Sequence, residues 1–145
     1  MFGRLKERLT GGAQRLNGRT DLLEGGAAMT VLTASADGDL SDKEAETALD
    51  RLLGHEVLAA AFKPTQIEAA FDKQVKRANQ GMSGKLALKR EVEDLKSKAT
   101  DDEREMMLMV SLDVALADGD ISAPERKVLD DLARRLGFSL ERYLD

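Results

Sequence analysis

Two nine-residue stretches, ADGDLSDKE at 36–44 and ADGDISAPE at 117–125, stand 81 positions apart in the chain. Each reads as the close of one helix and the opening of the next. Glycine supplies the left-handed residue that ends a helix, Ser41 or Ser122 caps the following one, and Glu44 or Glu125, three positions on, completes a capping box. Leu40 and Ile121 take the place of a hydrophobic staple, and Pro124 is tolerated because it falls in a first turn. The similarity extends outward, with Glu24 matching Glu105 and Ala34 matching Ala115, so residues 24–53 and 105–134 form an internal repeat. Two copies with little identity outside the corner describe a duplicated helix-corner-helix unit rather than a solenoid.

The rest of the chain obeys the same period. Two prolines, abundant Ala, Leu, Lys and Glu, and apolar residues three or four apart indicate helix, and no stretch alternates like a strand for long. The pattern predicts an all-α, single-domain bundle of about seven to eight helices over residues 1–145, with two pseudo-symmetric halves. Pro64 suits a first helical turn, and Asn79 to Gly84 reads as a loop. Thr100-Asp101-Asp102-Glu103 is a further capping box, opening the helix that carries MMLMVSLDVALA. The methionines at 82, 106, 107 and 109 read as core filler.

Charge narrows the partners. The formal charge is −5, but residues 1–20 hold Arg4, Lys6, Arg8, Arg15 and Arg19 against Glu7, a local +4 that leaves the remainder at −9. So acidic a body repels phosphate backbones, and one tyrosine without tryptophan offers little to stack on bases, which argues against nucleic acid. Residues 1–18 form a basic amphipathic segment with Phe2, Leu5, Leu9, Ala13 and Leu16 on one face, expected to dock on the bundle or on the inner membrane surface. The absence of cysteine removes thiolate metal sites and thiol nucleophiles. No apolar run approaches the roughly 20 residues of a membrane span, so a soluble, cytoplasmic protein is expected.

The corner aspartates are the chemistry-bearing residues. Asp37 and Asp118 sit at the negative end of a helix, where a carboxylate costs a few tenths of a kcal/mol until a cation meets it. With Asp39 and Glu44, or Asp120 and Glu125, they gather three carboxylates at each corner, an oxygen-only donor set that suits calcium or magnesium. The loop is not an EF-hand, because the glutamate follows the first aspartate of DGD by seven residues where an EF-hand needs nine. A purely structural corner remains the alternative, since Gly, Ser and Glu there need no ligand. Asp113 falls on an apolar arc with Met106, Met109, Val110 and Ala117; it is expected to be buried, either paired with a basic residue such as an arginine of the first helix or as an accessory metal ligand. His55, alone after Gly54, reads as a surface or capping residue.

The stretches LLEGGAAMTVLTASADG, HEVLAAAFKPTQIEAAFDK and VALADGDISAPERKVLDDLARRLGFSLERYL together resemble the tellurite-resistance protein B family, nearly end to end. The paired DG corners and the terminal LGFSLERYL carry the resemblance; Gln80 to Lys98 matches poorly. It implies an all-helical fold with pseudo-twofold halves, no catalysis, and an acidic surface for divalent metal. Its acidic positions fall on Asp37, Glu44, Asp118 and Glu125, to which the chemistry adds Asp39 and Asp120. It also implies a role in resistance to tellurite and other stresses, alongside partner proteins of that system at the inner membrane face. A competing expectation is a metal-independent interaction module in a phage-defence or membrane-surveillance complex. An enzyme is expected least, for want of a nucleophile, general base or substrate pocket.

Overall fold

The structure is a computed structural model that describes residues 16–144. Eight α-helices follow one another among these residues, with no strand: α1 (Thr20–Ala34), α2 (Asp42–Leu53), α3 (Glu56–Ala61), α4 (Pro64–Ala78), α5 (Met82–Lys98), α6 (Asp101–Ala115), α7 (Ala123–Leu136) and α8 (Glu141–Leu144). A 3₁₀ turn, Leu116–Asp118, separates α6 from α7. The basic segment lies outside the described residues apart from its end, where Leu16 is fully buried.

Helix α1 is the axis of the fold. Every residue from Gly25 to Thr33 is buried, and α4, α5 and α6 pack around it. Small residues permit this approach: a Cβ on Gly25 would come within 2.6 Å of Leu95 Cδ1 on α5, and one on Gly26 within 3.2 Å of Met107 Sδ on α6. Helix α6, its repeat twin, is buried from Met106 to Leu112. The second helix of each unit is amphipathic and crosses to the other unit, α2 onto α6 and α7 onto α1. That exchange brings the start of α2 and the second corner to one cleft.

The expected caps are present. Ser41, Thr100 and Ser122 each accept the N–H of the glutamate three residues on, and each glutamate accepts the N–H of its cap residue. Each box satisfies two backbone donors that would otherwise be left open. Gly119 is left-handed at φ 93° and Gly38 has φ 146°, as the turn requires.

Two expectations fail near α5. The glycine-rich loop is shorter than the sequence suggests, because α5 begins at Met82 and takes in Gly84. Met82, at the helix start beyond the end of α4, is 76% exposed and fills no core, whereas Met106, Met107 and Met109 do.

Among the described residues the buried side-chain polar groups are matched. Gln74 has no exposed surface; its Nε2 donates to the Glu24 carbonyl and to Glu91 Oε2, while Oε1 accepts from Arg77. The network ties α4 to α1 and α5. Gln74→Leu, which fills the volume but strands three partners, is expected to cost about 2–3 kcal/mol in urea unfolding.

At the other end, Arg19 clamps the starts of α1 and α6. It donates to both oxygens of Asp21, to Glu103 Oε2 and to the Lys98 carbonyl. The Arg19 hydrogen bond holds the Asp21 carboxyl below the usual range. A carboxylate with a lowered folded-state pKa stabilises fully above its unfolded value and loses that contribution as pH falls through the folded value. Asp21→Asn should therefore lower stability at pH 7 and flatten the acid limb below about pH 4, with parent and variant converging as pH falls further in pH-dependent urea melts.

Candidate cation cleft

The crossing of the two units leaves a cleft of about 320 Å³ where the ends of α1 and α6 meet the starts of α2 and α7. Its floor carries hydroxyls. Thr30, Thr33 and Ser111 are buried, and each donates to a carbonyl four residues back in its own helix, which leaves oxygen lone pairs available. Its wall carries carboxylates from both repeats, Glu44 from the first and Asp118, Asp120 and Glu125 from the second. Lys43 and Arg51 of α2 complete the lining.

This is a different arrangement from one three-carboxylate cluster at each corner. Four of the six candidate ligands share a single cleft, whereas Asp37 and Asp39 are exposed and outside its lining. The difference has a cause in the sequence. Arg51 reaches across to Asp118, Nη2 to Oδ1 at 2.5 Å, and its Nη1 is 3.5 Å from the Val114 carbonyl near the end of α6. The repeat equivalent of Arg51 is Leu132, fully buried, so no guanidinium reaches Asp37 from that position. At the first corner Lys85 of α5 takes over part of the task, its Nζ lying 3.4 Å from the carbonyls of Ser35 and Gly38. The unfavourable charge at these two helix ends is thus met by side chains, which the sequence reading had assigned to an external cation.

The remaining carboxylates are oriented by their own backbones. Asp120 Oδ1 accepts from the Ile121 N–H. Glu44 and Glu125 each use Oε1 in a capping box. Hydrogen bonding by Ser41, its side chain first and then its backbone, holds the Glu44 carboxyl below the usual range, so Glu44 is an anion at neutral pH. The donor set fits a hard cation in kind, being all oxygen and drawn to one cleft. As the side chains stand, no three Asp, Glu or His residues among the described residues converge closely enough to hold a metal, and Asp118 is held by Arg51.

Asp113 does not join the cleft, and the expectation of a buried carboxylate is corrected. It is exposed, with a side chain 51% accessible. Because α6 is buried on nearly every side, its apolar arc has no clear edge, and Asp113 falls on the narrow open strip. Its partner is His55, not an arginine of the first helix: His55 Nε2 lies 2.9 Å from Asp113 Oδ2. His55 caps α3, its Nδ1 accepting the Val57 N–H, so the ring proton is on Nε2 and points at Asp113.

Arg51, Lys43 and Lys85 were missed by the sequence reading. A signal for one existed: Glu44, Thr47 and Arg51 fall on one helical stripe, three and four residues apart. Lys85 carries no such pattern, since its contact crosses 50 residues to Ser35.

No helix among the described residues is long and apolar enough to cross a membrane. Neither the curated proteins nor the solved structures compared with the chain include a match. The family model of the tellurite resistance protein TerB matches residues 24–143, which takes in both repeats, both corners and most of the closing helix. The all-helical duplicated fold and that match agree, and the chain belongs to the TerB family of tellurite-resistance-related domains.

Proposed function

We propose that this domain is a non-catalytic component of the tellurite and stress response, and that its inter-repeat cleft binds one divalent cation, calcium or magnesium. The observation that carries this reading is that Glu44, Asp118, Asp120 and Glu125, from both repeats, line one cleft with a floor of hydroxyls. A bound cation would neutralise the cleft and link the two repeats; to hold it, Glu44, Asp120 and Glu125 would have to draw together from their present positions and Asp118 to leave Arg51. The state so fixed is the one presented to partner proteins of the same system in the cytoplasm, at the inner membrane face.

The second reading dispenses with metal, and the Arg51–Asp118 pair favours it. A guanidinium already seated against a carboxylate and a helix-end carbonyl shows that the cleft accepts a basic side chain, as a partner protein in a surveillance or defence complex could supply. Calorimetric titration of metal-stripped protein with calcium chloride, magnesium chloride and a short arginine-rich peptide separates the two. Calcium binding with Kd between about 10 µM and 1 mM supports the first reading. Peptide binding that calcium does not displace, with no heat from either metal, supports the second.

A further inference from the structure

The hairpin of α4 and α5 concentrates the opposite charge. Residues 73–90 hold Lys73, Lys76, Arg77, Lys85, Lys89 and Arg90 with no acidic residue, a local +6 in a chain whose formal charge is −5. Three of these are engaged at home: Lys73 with Glu24, Arg77 with Glu91, and Lys85 with the Ser35 and Gly38 carbonyls. Lys76, Lys89 and Arg90 make no ion pair among the described residues. The same stretch holds Met82, 76% exposed, and Leu86, 45% exposed, the large apolar side chains that the described part of the fold leaves in water. Four apart on α5, they share a face, and Lys89 and Arg90, three and four residues beyond Leu86, continue it. The next acid on that face, Glu93, lies 3.9 Å from Arg135. Residues 79–83 are all exposed, so the tip stands out from the body and lines no groove of its own.

We propose that the α4–α5 tip docks on a membrane surface rich in anionic lipid, with Met82 and Leu86 entering the acyl boundary while Lys76, Lys89 and Arg90 meet the headgroup phosphates. Basic side chains gain from the negative potential of such a surface, and apolar ones beside them gain by leaving water. Each contribution alone is weak, and lipid is the partner that satisfies both. Nucleic acid answers the charge but gives Met82 and Leu86 nothing apolar to enter, and residues 73–90 hold no aromatic side chain to stack on a base. An acidic protein would need a socket shaped to a protruding tip, whereas a bilayer deforms around it. The asymmetry of charge also sets the orientation, because the rest of the chain is net negative and is repelled by the same surface. The proposal stands independently of the cation reading of the cleft.

Co-sedimentation of the whole chain with vesicles of about 40% phosphatidylglycerol in phosphatidylcholine should show binding that about 0.5 M sodium chloride reverses, and none to pure phosphatidylcholine. Met82→Ser with Leu86→Ser, and Lys89→Gln with Arg90→Gln, should each weaken it at least about fivefold while melting within about 2 °C of the parent. Arg126→Gln with Lys127→Gln removes the same charge from exposed residues of α7 and should change it less than about twofold. The chain has no cysteine, so Met82→Cys carries a single environment-sensitive dye, whose emission should shift to the blue on the anionic vesicles; the same dye on Lys127→Cys should not move. No vesicle binding by the parent would overturn the proposal and leave the tip to an acidic protein. So would tip variants that bind like the parent, which would place the lipid contact elsewhere, as on residues 1–18. Equal losses in the tip and α7 variants would reduce the contact to bulk charge and refute it too. Should a tip variant fail to fold, the dye decides alone: emission at position 82 unmoved by saturating vesicles refutes insertion. A parent dimer that Met82→Ser with Leu86→Ser dissociates would assign the tip to a second copy of the chain and overturn the proposal.

Discussion

Gly84→Ala is expected to destabilise the protein by about 3 kcal/mol, the largest effect of any glycine-to-alanine change among the described residues. A Cβ at Gly84 would stand 1.8 Å from the carbonyl oxygen of Arg77 and 2.9 Å from its carbonyl carbon. Both are backbone atoms near the end of α4, so no rotamer change can make room. The two helices must separate, and with them the Gln74–Arg77–Glu91 network that lies just beneath. Gly25→Ala makes the informative comparison, because there the added carbon meets the far end of the Leu95 side chain at 2.6 Å, which can turn away. It should cost less than half as much. Thermal melts resolve the difference readily, since about 3 kcal/mol corresponds to a fall of roughly 10 °C or more in a domain of this size. A Gly84→Ala protein within about 1 kcal/mol of the parent would show that α4 and α5 do not approach so closely. The consequence would reach the first corner, because Lys85, next in sequence to Gly84, is placed against the Ser35 and Gly38 carbonyls by the same contact.

The second large effect is on ligand binding. Glu44→Gln and Glu125→Gln should each lower calcium affinity at least tenfold, although the residues lie in different repeats. Glutamine still closes a capping box, so the helix starts survive and only the charge is lost. Losing one charged oxygen ligand from a small donor set is worth about 1.4 kcal/mol or more, which is the tenfold change. Asp37→Asn is the contrasting case. It removes a carboxylate of the same repeat motif but lies outside the cleft lining, and its affinity should stay within about twofold of the parent. Equal losses from all three substitutions would restore two separate corners as the working unit.

Much of the fold could be read from the chain because its signals are local. Serine or threonine with glutamate three residues on defined three capping boxes, and Pro64 marked the start of α4. The duplication itself was visible in ADGD alone. What failed was information that lives between helices. The span of α5 was misjudged at Gly84 because a glycine that permits helix contact looks, in sequence, like one that permits a turn. Asp113 was misplaced because periodicity identifies a buried face only when another face is open, and α6 has almost none. The candidate site was half legible. Its carboxylates were found from the repeat, but sequence treats the two copies as equivalent, whereas Arg51 and Leu132 make them unequal. That asymmetry turns two expected clusters into one cleft.

The central claim, that the duplicated corners form one shared cation cleft, is tested most directly by stoichiometry. Calorimetric titration of metal-stripped protein with calcium chloride should give one ion per chain, and Glu44→Gln or Glu125→Gln alone should weaken or remove that single event. Saturating calcium should also raise the unfolding free energy, by about 2.7 kcal/mol at a hundredfold excess over Kd. Two ions per chain, each lost only when its own repeat is altered, would contradict the shared cleft, and so would the absence of any binding heat and any shift in melting.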